Sequence, residues 1–347
     1  MNILILTKYP TRGPSSRYRF YQFLPHLSER GHRFTVLPFF TDAYLASLFD
    51  DGRVGPLYVF QRLLARLGHC LRGKPYDLVW IEGELLPFIP SSMERLFHLA
   101  LPRRRVYEFD DANWLRYEGK PLLEKKFLRI LSSAAGVVVG NDFLADYVRQ
   151  VNASIAVVPT VVDWARYEPA VHKPNGLTIG WIGSQKTSFF LEDIFPALRE
   201  LATQYPLKLK VVGARIQADG FPLEEVVWSE DTEVSHIESF DIGVMPLTAT
   251  PWSRGKCGLK LIQYLAAGIP AVASSVGVNT GYLNDSGGGF LAEDHEDWVH
   301  QLRKLLDNET LRKDMGRSGR EWVRSEMTIT AQAPKLINFL EQCARKG

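Results

Sequence analysis

The chain has 347 residues, 46% of them apolar and 23% charged, which is the balance of a soluble globular protein; the length exceeds one ordinary core and suits two domains of about 150 residues each. A formal net charge of +2 excludes a generally polybasic nucleic-acid binder, so no nucleic-acid partner is expected. Cys70, Cys257 and Cys343 show neither paired spacing nor a metal pattern with histidine, so a reducing compartment and no metal are expected.

The N-terminal Met1 to Lys8 reads directly as a strand and lacks the charged start, long apolar run and cleavage site of a signal peptide. No apolar run approaches the length that spans a bilayer, so the expected location is cytoplasmic. Short apolar runs follow at Ile3 to Leu6, Phe34 to Leu37, Leu78 to Ile81, Val106 to Phe109, Val137 to Val139 and Ile155 to Val158, with helical patterns between them. This is the rhythm of a parallel sheet wrapped by helices. The turn after the first strand, Pro10 to Phe20, contains Gly13, a capping serine at Ser15 or Ser16, and Arg17 and Arg19 in the first helical turn. The helix dipole disfavours cations there, so the arginines either meet an anion or point into solvent.

Leu57, Phe60, Leu63, Leu64, Leu67 and Leu71 recur at helical spacing, opposite Arg62, Arg66, His69 and Arg72, with Lys74 beyond. Such a helix either lies on anionic lipid, on the cytoplasmic face of a membrane, or turns its apolar stripe into the domain core. Arg103, Arg104 and Arg105 belong to the same basic face or to a solvated strand entry. Asp110 and Asp111 then stand at the carboxyl end of a predicted parallel strand, where open α/β sheets bind ligands; the competing role is an N-cap for the helix through Trp114.

A second series of strands is predicted at Thr178 to Ile182, Leu209 to Val212, Val226 to Trp228, Ile242 to Met245, Ala271 to Ala273 and Phe290 to Leu291. Trp164 to Gly176 is polar and aperiodic and reads as the linker, giving domains 1–165 and 166–330, with a helical segment 331–347 at the end. The most informative stretch is Gly255 to Ser274. Gly258 lets backbone N–H groups approach an anion, the start of the following helix adds partial positive charge, and Lys256 and Lys260 supply full charges. Gly268-Ile269-Pro270 closes the helix and Ala271 to Ser274 is an interior strand. Together these features describe a site for a diphosphate.

The same stretch resembles the C-terminal-domain signature of GT-B glycosyltransferases of family 4, which reads roughly E-G-F-G-L-P-L-L-E-A-M-A-x-G-x-P-V-V. Aligned on Ala266-Ala267-Gly268-Ile269-Pro270, the two signature glutamates fall on Gly255 and Gln263, so both are missing. The likeness extends to the Gly13-Pro14-Ser15-Ser16-Arg17 opening and to the Pro159 to Asp163 exit from the first domain. It implies an α/β fold of two Rossmann-like, doubly wound parallel-sheet domains facing across a cleft, with the final helix (331–347) packing back on the N-terminal domain.

The function it implies is transfer of a sugar from a nucleotide-diphosphate sugar to a hydroxyl of a glycan or lipid-linked acceptor, with anomeric retention and no required cofactor. The donor would be held by Gly13, Arg17, Gly183, Ser184, Lys186, Gly213, Trp228, Lys256, Gly258, Leu259, Lys260 and Gln263. Trp228 would wall the nucleobase unless it is core, and Gln263 would reach the ribose through its amide. Asp110 or Asp111 would stand near the reacting sugar carbon, while Lys256 and Lys260 would stabilise the leaving diphosphate. Two rivals stay open: a GT-B sugar-nucleotide epimerase, and an inactive nucleotide-sugar-binding subunit, which the Gly255 and Gln263 departures keep alive. A dehydrogenase is disfavoured by the lack of a complete G-x-G-x-x-G after the first strand. Nucleotide, sugar, linkage and oligomeric state are not legible.

Overall fold

The computed structural model describes residues 1–44, 55–71, 75–168 and 177–345. The chain divides into two units, Met1–Thr160 with the residues from Gln332 on, and Val161–Ala331. The division falls at Thr160/Val161 and Ala331/Gln332.

In the first unit six strands form one parallel sheet: β1 (Asn2–Leu6), β2 (Arg33–Val36), β3 (Leu78–Glu82), β4 (Arg105–Phe109), β5 (Gly136–Val139) and β6 (Ile155–Val157). Their order is β2-β1-β3-β4-β5-β6, so the winding reverses between β1 and β3. Every residue of β3 and β4 is buried, as expected of central strands covered on both faces. The closing helix Ile329–Arg345 joins this unit from Gln332, burying Leu336, Ile337, Leu340 and Cys343. It lies so close to β5 that a Cβ on Gly136 would come within 2.5 Å of the Cys343 sulfur. Its outer edge is tied by Glu341 to His32, 3.0 Å, and by Asn338 to Arg30, 2.9 Å.

The second unit carries another all-parallel sheet: β7 (Leu177–Ile182), β8 (Leu207–Val212), β9 (Leu223–Val226), β10 (Ile242–Met245), β11 (Ala271–Ser274) and β12 (Gly289–Ala292). The order is β12-β11-β10-β7-β8-β9, with the reversal between β7 and β10. The strand alternation sorts side chains into two cores, Ile179 and Trp181 on one face and Ile182 on the other. Helix Leu259–Ala266 packs on the second face through Leu261, Ile262, Tyr264 and Leu265. Tyr264 accepts a hydrogen bond from Ile182 N at 3.1 Å and donates to Val244 O at 3.3 Å, which fixes the helix between β7 and β10.

Three expectations change. The strand placed at Val226 to Trp228 is Leu223–Val226, so Trp228 lies beyond its end. The linker is shorter than predicted at its start: Trp164–Tyr167 is a 3-10 turn capped by Asp163, and Tyr167 is buried in the second core. Two aromatic side chains anchor that otherwise polar stretch, with Arg320 stacked on Trp164 at 4.4 Å and donating to Tyr167 O. Residues 169–176 of the expected linker lie outside the described residues.

The third change concerns helix Pro56–Leu71, which turns its arginines inward and its leucines outward. Arg66, only 2% exposed, donates to Thr7 O (2.8 Å) and Leu37 O (3.2 Å) past the ends of β1 and β2. Arg62 donates to Phe39 O at 2.5 Å. Carbonyls at strand ends need donors once covered, and two guanidinium groups supply them. Leu57, Phe60, Leu64, Leu67 and Leu71 stay exposed, so this stripe is not core. Arg72 and Lys74 lie outside the described residues.

The approach of Tyr264 to the sheet requires a strand residue without a side chain. A Cβ on Gly243 would stand 2.4 Å from the Tyr264 ring. Gly243→Ala is therefore expected to cost about 1–3 kcal/mol through overpacking. A urea titration of the variant should show a lower midpoint with unchanged slope; an unchanged midpoint would show that the ring moves aside freely.

Candidate functional site

In the second unit the site is built at the carboxyl ends of β7 and β8, beside the reversal of strand order where open α/β sheets leave a crevice. Gly258 caps helix Leu259–Ala266 with φ +69, a left-handed conformation that L side chains rarely adopt. A Cβ there would also stand 2.8 Å from the Tyr282 ring. Leu259, the first helical residue, packs on the core and sets the helix start against the sheet.

Lys260, one residue further, is partly exposed, and its ammonium is held 4.1 Å from the centre of the Trp181 ring and 3.4 Å from Thr187 Oγ1. Burial pushes its pKa down to about 7, and the neighbouring charge of Lys256 adds to that. Gly183 makes the arrangement possible, since a Cβ on it would meet Trp181 at 2.6 Å and the Lys260 stem at 2.8 Å. Gly213, with φ +89, brings the next loop against the carbonyl of Gly183.

The remaining donor-side candidates divide. Lys256 stacks its ammonium on Trp252 at 4.8 Å, one turn before the helix. Ser184 is exposed at the start of the 3-10 segment Gln185–Ile194, and the adjacent Lys186 is exposed as well. Trp228 lies beside Gly213 and donates from its indole to Glu233 at 2.8 Å, so it is a fixed wall next to the second loop while also packing on the core. Gln263 is 3% exposed, inside the helix. Gly255 is buried where the short helix Pro251–Arg254 ends.

The first unit has its own pocket at the carboxyl ends of β1, β3 and β4, lined by Lys8, Ser15, Glu82, Glu84, Asp110, Asp111 and Arg116 among others. Asp110 and Asp111 are both partly exposed there, and the cap position of the 3-10 helix Asn113–Tyr117 is Ala112. Glu82 organises this edge. It accepts from Ser16 Oγ (2.5 Å), Lys8 N (2.7 Å) and Ser15 Oγ (2.9 Å). Burial nevertheless raises its pKa, against those hydrogen bonds and with the help of Asp110. The Lys8 pKa is lowered, by burial and by Arg116, with Glu82, Glu84 and Asp110 opposing.

The serines therefore serve Glu82 and not the helix, whose cap is Gly13. A Cβ on Gly13 would run into Tyr9 at 2.3 Å, so this glycine is required by the tightness of the turn. Arg17 is buried, with its guanidinium 4.8 Å from the Tyr18 ring, and does not point into solvent. Arg19 is 1% exposed and paired with Glu108 at 2.7 Å, a structural ion pair completed by the Trp80 indole at 2.8 Å. Phe88, in the loop after β3, has φ +61, the one such non-glycine among the described residues; Tyr117 accepts from its N–H at 2.9 Å and donates to Glu84.

Sequence reasoning missed Lys8, Glu82, Glu84 and Arg116 in this pocket, and Trp181 and Thr187 around Lys260. Lys8 and Glu82 were reachable by the rule that found Asp110, because both sit at the carboxyl ends of predicted strands. Arg116 and Thr187 carry no such signal.

Residues 173–308, most of the second unit, match the family described as glycosyl transferases group 1. A putative teichuronic acid biosynthesis glycosyltransferase, TuaH, of Bacillus subtilis is 26% identical over 188 residues, 48% of this chain and 46% of its own length. A D-inositol 3-phosphate glycosyltransferase of Arthrobacter is 27% identical over 223 residues, 55% of this chain and 52% of its own. The chain thus spans about half the length of the curated relatives it matches. Among solved structures, a sucrose-phosphate synthase of Thermosynechococcus elongatus superposes with a TM-score of 0.72 at 13% identity, over 99% of this chain and 98% of that one. HepE of Anabaena, solved with UDP-glucose, gives 0.69 at 13% identity over 98% and 99%. The second unit thus matches the group 1 glycosyltransferases over residues 173–308, and with its two doubly wound parallel sheets the chain has the GT-B fold of these solved neighbours.

Proposed function

We propose that the protein transfers a sugar from a nucleotide-diphosphate sugar to a hydroxyl of a glycan or lipid-linked acceptor, retaining the anomeric configuration and using no bound divalent cation. The observation that carries the reading is the ammonium of Lys260, desolvated beside Gly183 and Trp181 in the first turn of a helix, where backbone N–H groups lack intrahelical partners. An isolated buried cation is costly, and a diphosphate repays that cost with two phosphoryl groups. The HepE complex with UDP-glucose supports a nucleotide sugar as the donor class, and the relative named for teichuronic acid biosynthesis supports a polysaccharide pathway.

In this reading the bond between the anomeric carbon and the diphosphate oxygen breaks, and negative charge grows on the leaving phosphate. Lys260, the helix start and Lys256 lie fixed in advance where that charge forms, so little reorganisation accompanies the reaction. Asp110, Asp111, Lys8 and Arg116 offer acceptors and donors to the hydroxyls of the second substrate. A second reading, a subunit that binds nucleotide sugar without transfer, is favoured by Gly255 alone, since that position offers no side chain to the sugar. Screening UDP-, GDP-, ADP-, CMP- and dTDP-sugars by thermal shift and by donor hydrolysis separates the two, because a binding subunit shifts its melting temperature and releases no nucleotide.

For the donor found in that screen, Lys260→Ala is expected to lower kcat/KM on the order of a hundredfold, the cost of removing one well-placed charge donor. Its thermal unfolding should stay close to that of the parent, because a strained, desolvated charge is removed. Full activity in this variant would exclude Lys260 as a donor ligand.

The pH dependence follows from the pKa of about 7. A bound diphosphate favours the ammonium and raises that pKa, so donor affinity is complete below pH 7 and falls as pH rises through it, by at most about tenfold per unit. Calorimetric binding from pH 6 to about pH 9 should show the fall in the parent and a flat profile in Lys260→Met.

Asp111→Asn keeps the size and removes the charge. It is expected to reduce transfer by about tenfold or more while donor affinity stays unchanged, on the scale of a lost charged hydrogen bond. Steady-state kinetics with both substrates varied would check this, and unaltered constants would return Asp111 to a purely structural role.

A further inference from the structure

We propose that the outer face of helices Pro56–Leu71 and Ser91–His98 docks on an anionic lipid bilayer. The two helices pack side by side on the sheet of the first unit. Leu57, Phe60, Leu64, Leu67 and Leu71 follow the 3-4-3-4 spacing of a single helix face, and this face is the one turned away from the protein, with Leu57 69% and Leu71 64% exposed. On the neighbouring helix Met93 and Leu96 are exposed, and Leu99, just past its end, is 80% exposed. Exposed large apolar side chains on two helices that pack on one another exceed the scattered apolar residues of an ordinary surface and mark an interaction face.

Charge selects the occupant. Helix Pro56–Leu71 contains no Asp or Glu, and the single acid of the second helix, Glu94, is fully buried. Among the described residues of the two helices and of the segment 99–104 after them, the exposed charges are Arg95 and Arg103. An apolar face edged by cations and free of exposed carboxylates on either helix matches a bilayer surface with anionic headgroups, where the leucines enter the acyl boundary and the arginines meet phosphate.

The geometry of Arg66 keeps this orientation in place, since a helix whose buried cation is bonded to Thr7 O and Leu37 O cannot rotate its leucines inward without breaking both charge-assisted hydrogen bonds. Among the described residues no helix is long and apolar enough to cross a membrane, so the contact is peripheral. The inference is separate from the proposed transfer reaction, because membrane contact is measured with neither donor nor acceptor present.

The test is flotation of the full chain with large vesicles of phosphatidylcholine alone or mixed with phosphatidylglycerol. The expected result is binding to the mixed vesicles that weakens with salt, and little binding to phosphatidylcholine alone. The double variant Leu64→Ser, Leu67→Ser should bind about tenfold or more weakly. Arg95→Gln and Arg103→Gln should each weaken binding to the mixed vesicles by about fivefold, the effect of one basic residue near an anionic surface. Thermal melts of all variants should match the parent, since each substituted side chain is already exposed. Leu57→Ser is a second probe at the end of the row, should the central pair disturb folding.

The proposal is overturned if the parent fails to float with phosphatidylglycerol vesicles, or if the leucine variants bind as tightly as the parent. It is equally overturned if the parent is a dimer in solution that Leu64→Ser, Leu67→Ser converts to a monomer while vesicle binding is absent in both.

Discussion

The hydroxyl of Tyr264 is the contact on which the candidate site of the second unit depends. By accepting from Ile182 N and donating to Val244 O it fixes helix Leu259–Ala266 to the two strands that flank the reversal of winding. The position of the helix start follows from that attachment. Gly243 admits the ring, Gly258 turns the chain into the helix, and Gly183 leaves room for the Lys260 stem against Trp181. Each is a close approach that a side chain would block, so the site is shaped by what the backbone lacks as much as by the charges it carries. The polar attachment also resists sliding along the strands, which apolar packing alone would tolerate.

The two units place different chemistry at equivalent edges of their sheets. The carboxyl ends of β7 and β8 present glycine loops and a desolvated cation, which suit an anion. The carboxyl ends of β1, β3 and β4 present Glu82, Glu84, Asp110 and Asp111 with Lys8 and Arg116, which suit a polyhydroxylated ligand. Glu82 has the part in the first unit that Tyr264 has in the second. It holds the Gly13–Arg19 turn to β3 through both serines, and the strand end after β1 through the Lys8 amide.

Helix Pro56–Leu71 shows hydrogen-bond satisfaction deciding against apolar burial. Turning the leucine face inward would gain up to about 1.5–3 kcal/mol for each side chain buried. It would also withdraw Arg62 and Arg66 from carbonyls at the ends of β1 and β2 and strip donors from several buried acceptors at about 1–3 kcal/mol each. The two sums are of similar size, so the outcome rests on geometry. Four arginine-to-carbonyl bonds form with the helix in this orientation, and Arg66 keeps its charge there although burial lowers its pKa to about 10.

The strand rhythm, the two doubly wound sheets and the helix-to-strand turn at Gly268 were legible in the sequence, because central parallel strands are apolar throughout and glycine marks the one left-handed residue at a helix end. The grouping of Lys256, Gly258 and Lys260 at one helix start was legible as well, since they are neighbours in the chain. What required the tertiary structure were the contacts made across the sequence. Trp181 under Lys260, Glu82 drawing in Ser15 and Ser16, Arg19 buried against Glu108, and the outward leucines of Pro56–Leu71 all depend on partners tens of residues away. Local periodicity tells which residues share a face of a helix. It does not tell which face turns inward, because that choice is made by the carbonyls and side chains waiting on the sheet.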